Sequence, residues 1–104
     1  MNDRSEGCSV PQRTISAEAA AAAVVAAVTH AATLGLRINA AVVDGSGTLA
    51  AFLRMPGAFL HSVDIAIDKA YTAASFGFAT RQWQEILAGD EALRLGLPLR
   101  PRLV

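Results

Sequence analysis

The sequence predicts an α+β domain organised on one antiparallel hairpin. Three observations carry that prediction. A largely apolar run from Arg37 to Val43 meets the turn Asp44-Gly45-Ser46-Gly47, and a second extended run, Thr48 to Arg54, returns from it. An alanine-rich stretch of helical character precedes the hairpin, and a stretch with apolar residues at helical spacing follows it. Two strands do not stand alone, because three or more are normally needed for a stable sheet. The sheet is therefore expected to be incomplete, and to gain a strand from Arg102 to Val104 or from another chain.

Length and composition bound the function. The 104 residues allow one domain. Residues 1–13 read as a flexible leader and 14–104 as the domain. The chain is 53% hydrophobic and only 17% charged, with much of the apolar count in alanine. Alanine packs closely but contributes little area, so buried faces should be shallow and flat. Flat faces, few charges and a net charge of zero favour self-association; a homo-oligomer or a complex with a second chain is expected. Zero net charge and nine scattered Lys and Arg residues give no basic field for a nucleic-acid partner. Cys8 is the lone cysteine, so no intrachain disulfide forms. The leader MNDRSEGCSVPQR has no apolar core, and the run Ala17 to Ala32 is shorter than the roughly 20 residues a membrane span needs. A cytoplasmic protein without a membrane segment is the expectation.

The elements follow from local chemistry. Thr14 or Ser16 can cap the first helix, Glu18 suits its positive end, and Val24, Val28 and Ala31 recur on one face. Gly35 follows as its stop. Ile38, Val42 and Val43 favour the first strand. Met55-Pro56-Gly57 breaks the second, because Pro56 lacks a backbone donor. Ser62 can cap a helix running to about Phe76, with Ile67, Ala70 and Ala74 as its buried stripe and Gly77 as its stop. Thr80 can cap a further helix from Arg81 to about Ala88. Glu91 to Leu95 could add one more turn.

The second helix carries the densest chemistry. Asp64 and Asp68 are four apart, as are Asp68 and Thr72, so they share a face. With His61 they could form one polar wall, beside Tyr71 and Ser75. The set lacks metal-ligand spacing such as His-x-x-x-His, so no metal site is assigned. Lys69 points about 100° away from Asp68; it serves either an ion pair with another element or a substrate anion. Arg54 ends a strand just ahead of this helix, as an edge charge or as a bidentate carboxylate contact. His30, at the end of the alanine-rich helix, is stabilised by the helix dipole; it could also ligate haem iron. Asp44-Gly45-Ser46-Gly47 is turn chemistry, not a phosphate loop.

Taken together, Val43-Asp44-Gly45-Ser46-Gly47, Arg54-Met55, Asp64-Ile65-Ala66, Asp68-Lys69-Ala70, Thr72-Ala73 and Ser75-Phe76-Gly77 resemble the GlcG/HbpS-like family, also called haem-degrading or DUF336 domains. The likeness covers about residues 14–104. It implies a profilin-like α-β-α layered fold around an antiparallel sheet, oligomer formation, and a small-molecule or haem site; some relatives act in the catabolism of aromatic compounds. The family often has Met-Asp-Gly where this chain has Met55-Pro56-Gly57. Its members also continue with a Gly-rich segment, further strands and a last helix, which matches the strand deficit. The resemblance supports a small-molecule or haem-binding protein, with His30, His61 and Tyr71 as cofactor ligands. An enzyme on a small carboxylated metabolite, such as an aromatic ring-cleavage product, is the alternative. There Arg54 or Lys69 would hold the anion, with Thr72 as a further substrate contact, Asp64 or Asp68 would move a proton, and Lys69 would stand with these carboxylates as a catalytic residue. A non-catalytic assembly subunit is the third reading.

Overall fold

The computed structural model describes residues 7–90 and residue 102. Their order is α1 (Ala17–Thr33), β1 (Asn39–Val43), β2 (Leu49–Arg54), α2 (Ser62–Phe76), a 3-10 turn at Thr80–Gln82, and α3 (Trp83–Ala88). The predicted α+β class and antiparallel hairpin are present, and among the described residues the sheet has two strands. Both α1 and α2 pack on this hairpin, α1 against both strands and α2 against β1.

Helix α1 starts where its cap dictates. Ser16 is extended, and its hydroxyl accepts a hydrogen bond from the Ala19 amide at 3.1 Å, which satisfies one free helix donor. The helix ends at Leu34, and Gly35 follows with φ of +70°, the left-handed conformation that a glycine adopts readily. Ala20, Val24 and Ala31 are its buried face, while Val25 is exposed. The apolar stripe is therefore narrower than the composition suggests.

The hairpin is set by Asp44. Its carboxylate accepts hydrogen bonds from the Ser46 and Thr48 amides at 2.8 and 3.1 Å, and the Gly47 amide donates to its carbonyl at 2.9 Å. Register runs from Asn39 opposite Arg54 to Val42 opposite Ala51, then shifts so that Val43 meets Leu49. Ala50 is thus the extra residue of a bulge, a feature that sharpens strand twist. The register leaves Asn39 and Arg54 as direct cross-strand partners.

That pair fastens the connection to α2. The Arg54 guanidinium donates to the Ala58 carbonyl at 2.7 Å, and Asn39 Nδ2 donates to the Phe59 carbonyl at 3.2 Å and to the Ser62 hydroxyl. Pro56 and Gly57 turn the chain here, with Gly57 at φ of +88° against the Arg37 side chain. Ser62 does not cap α2 as expected. It lies inside the helix, His61 occupies the cap position without a side-chain bond, and the Ser62 hydroxyl donates to Phe59. The Phe59 carbonyl, three residues back in the tight turn, accepts from that hydroxyl at 2.7 Å.

On α2 the one fully buried side chain is polar, Thr72, while the expected stripe of Ile67, Ala70 and Ala74 is only half-buried. An expected strand over Arg102 to Val104 does not fit Arg102, whose φ of +64° is left-handed. Residues 103 and 104, and the expected helical turn at Glu91 to Leu95, lie outside the described residues. Gly47 shows how closely the hairpin approaches α2. A Cβ placed there would sit 2.9 Å from the Tyr71 ring, on a backbone at φ of +84°.

Two stability measurements check this account. Ser16→Ala should lower the free energy of urea unfolding by about 1 kcal/mol through loss of the cap. Gly47→Ala should cost about 1–3 kcal/mol, from both the left-handed backbone and the displaced ring. Gly35→Ala, whose added methyl meets open space, should cost less than Gly47→Ala.

Candidate functional site

Strand β1 and helix α2 leave a groove between them. Alternate β1 residues share one face of a strand, and Asn39 and Ala41 line the groove with Ala66, Ala70 and Ala73 of α2. Its volume is about 400 Å³, and Lys69 and Thr80 bring its remaining polar groups. A continuation toward Val43, Gly77 and Phe78 is wholly apolar in its side chains. Alanines on both walls explain the opening. Two surfaces packed through methyl groups alone cannot fill the space that larger side chains would occupy.

Asn39 gives this groove its chemistry. Both of its amide donors are committed to Phe59 and Ser62, which fixes the orientation of the amide. Its Oδ1 is buried and has no hydrogen-bond partner among the described residues. A buried acceptor without a donor is costly, by about 1–3 kcal/mol, and such atoms are uncommon in native proteins. Lys69 is exposed and forms no ion pair among the described residues. The groove thus combines an apolar floor with an uncommitted cation, and Asn39 on its β1 wall carries a buried, unsatisfied acceptor.

The next face of α2 is occupied. Arg102 Nε donates to Asp68 Oδ1 at 2.8 Å, its guanidinium carbon lies 3.8 Å from the centre of the Tyr71 ring, and its carbonyl accepts from the Thr72 hydroxyl at 3.0 Å. Asp68, Tyr71 and Thr72, read from the sequence as part of one polar wall or beside it, are brought together by this one residue. Lys69 is excluded from the set because it projects toward the groove, as its helical offset requires.

The other candidates lie apart. Asp64 and His61 are exposed at the start of α2, and His30 is exposed in the last turn of α1. Arg54 is exposed and holds the Ala58 carbonyl. None of these four lines the groove. No group of three or more His, Cys, Asp or Glu among the described residues is arranged to hold a metal ion. No helix among them is long and apolar enough to cross a membrane.

Sequence reasoning passed over Asn39, Thr80 and Arg102 as site residues. Asn39 did leave a signal, as a polar side chain among the apolar residues Ile38 to Val43. Arg102 left none, since its partners stand 30 and 34 positions away.

Comparison with known proteins agrees with this architecture. A family model described as haem degrading protein HbpS-like matches residues 15–104. Among solved structures, HbpS is 32% identical, with 94% of this chain and 67% of that chain aligned at a TM-score of 0.82. A double mutant of Streptomyces reticuli HbpS is 33% identical over 94% of this chain and 64% of that chain, with a TM-score of 0.81. Klebsiella pneumoniae protein ORFY is 30% identical over 99% of this chain and 67% of that chain, at 0.78. This chain therefore spans about two thirds of the length of these relatives. No curated protein matches. The alternation of an alanine-rich helix, a tight hairpin and a polar-faced helix, matched along nearly its whole length, shows that the chain belongs to the HbpS-like family.

Proposed function

We propose that this chain is a small-molecule-binding protein whose ligand lies in the groove between β1 and α2. The observation that carries the reading is the alanine-walled groove of about 400 Å³ that Lys69, a cation without an ion pair among the described residues, borders. A carboxylate on the ligand pairs with Lys69. The alanine floor accepts a flat apolar body. These demands describe a small carboxylated compound, with aromatic acids and their ring-cleavage products in the same class.

A catalytic form of this reading uses Asp64 or Asp68 as proton carrier. Asp64 stands in open water and Asp68 is engaged by Arg102, so the geometry favours binding over turnover. Calorimetric titration with benzoate and with cis,cis-muconate tests the proposal. Saturable binding is expected for at least one, weakened about tenfold or more in Lys69→Gln by loss of a charge-assisted contact. Absence of binding, or equal affinity in the variant, would overturn it.

The family description also raises haem. Neither part of the groove is lined by His, Tyr, Cys or Met, and the Tyr71 ring is covered by Arg102. The described residues therefore do not fit an axially ligated haem inside the groove. Among the described residues His30, His61 and the Cys8 thiol are exposed donors. Any Soret shift on haem titration is expected to vanish in the His30→Ala, His61→Ala double variant, and a shift surviving both changes would place the donor elsewhere.

A second reading concerns assembly, and the edge of β1 that has no partner strand among the described residues favours it. An open strand edge is a template for another strand. In this reading a second chain, identical or different, extends the sheet beside β1 and walls the groove. Light-scattering mass and hydrogen exchange test it together. The expected result is an oligomer with slowly exchanging amides along the outer edge of β1; a monomer with fast exchange there removes the reading.

A further inference from the structure

Arg102 makes three contacts of different kinds with one short stretch of α2. The first is charge-assisted, from Nε to Asp68 Oδ1. The second stacks the guanidinium on the Tyr71 ring, within the range of a cation–π interaction. The third uses the backbone, with the Arg102 carbonyl accepting from the buried Thr72 hydroxyl. Positions 68, 71 and 72 follow helical neighbour spacing, so one helix face presents a carboxylate, an aromatic ring and a hydroxyl side by side. Gly47 lies against the same ring, so the β1–β2 turn limits where the ring can move. Arg102 also takes a left-handed backbone, at φ of +64°. That conformation is unfavourable for a residue with a side chain, so the contacts must offset it.

We propose that Asp68, Tyr71 and Thr72 form a receptor for an arginine and its own peptide carbonyl, and that Arg102 fills it in cis. The ligand class follows from the three contacts. The ring needs a planar, weakly hydrated cation, and Asp68 needs an N–H donor at its edge. A guanidinium meets both demands, whereas an ammonium is a compact, strongly hydrated charge with no planar face. Thr72 then recognises the main chain, which separates a peptide arginine from a free guanidinium ion. The filled receptor holds residue 102 against α2. It also closes this face to small ligands and leaves the Lys69 groove on the neighbouring face. The inference stands independently of the groove reading, because it uses no residue that lines the groove.

The test uses the full chain. N-acetyl-arginine amide, which carries both recognition elements, is titrated into the unaltered protein and into Arg102→Ala. Weak or absent binding to the first and saturable binding to the second are expected, because only the variant leaves Asp68 and the Tyr71 ring without the Arg102 guanidinium. Adding Asp68→Asn to Arg102→Ala should weaken that binding about tenfold or more, and N-acetyl-lysine amide should bind Arg102→Ala at least as poorly as this double variant binds the arginine amide. Equal binding to the unaltered and Arg102→Ala proteins, none to Arg102→Ala, or no preference for arginine over lysine would each overturn the proposal. A measurement on the unaltered chain guards against a variant that fails to fold. The Arg102 side-chain protons should show an upfield ring-current shift in the NMR spectrum, and ordinary random-coil positions would equally refute the contact.

Discussion

Strand β1 is the member on which the other described elements depend. It pairs with β2, supports α1 together with β2, and is the strand on which α2 packs. A strand can do this because it has two faces and two edges. Among the described residues one edge is paired, and the other has no partner strand. The consequence is a thin core. Among the described residues the buried apolar side chains are Ala20, Val24, Ala31 and Ala58, and three of these are alanines. Methyl groups bury little area, so each stabilises the fold by less than a Leu or Ile would. Much of the specificity must come instead from placed hydrogen bonds.

Those bonds cluster where the chain changes direction. Asp44 closes the hairpin through its carboxylate and carbonyl, while Asn39 and Arg54, opposite each other in the ladder, hold successive carbonyls of the loop into α2. A residue pair that would ordinarily be read as strand-edge polarity therefore sets where α2 begins and how it lies on β1. The same arrangement uses both donors of Asn39 and strands its acceptor. Building one wall of the groove and leaving a buried polar atom unsatisfied are thus two results of one anchoring step.

Helix α2 divides its chemistry between faces. Asp68 and Lys69 are neighbours in sequence, yet one pairs with Arg102 and the other borders the groove. The 100° advance per residue makes that division unavoidable. It also explains why a row of His61, Asp64, Asp68 and Thr72 does not act as one wall. The first two stand in solvent at the helix start, while Asp68 and Thr72 meet a distant segment.

Much of the fold was legible in the residues because its causes are local. The cap at Ser16, the stop at Gly35, the Asp44 turn, the break at Pro56 and the end of α2 at Gly77 each depend on a few neighbouring atoms. The family motif was legible for the same reason, since it follows those turns and helix faces. The site was legible only in part. Lys69 could be placed off the Asp68 face from helical geometry, but the partners of Asp68, Tyr71 and Thr72 lie some 30 positions away, and no periodicity encodes them. The fate of Ser62, drawn from capping to Asn39 and Phe59, required two segments to meet. By itself the sequence determined the elements, their order and their turns, because these are decided within a few residues. Only the tertiary structure decided which polar groups are satisfied and which are left open, because that depends on surfaces far apart in the chain being brought within bonding distance.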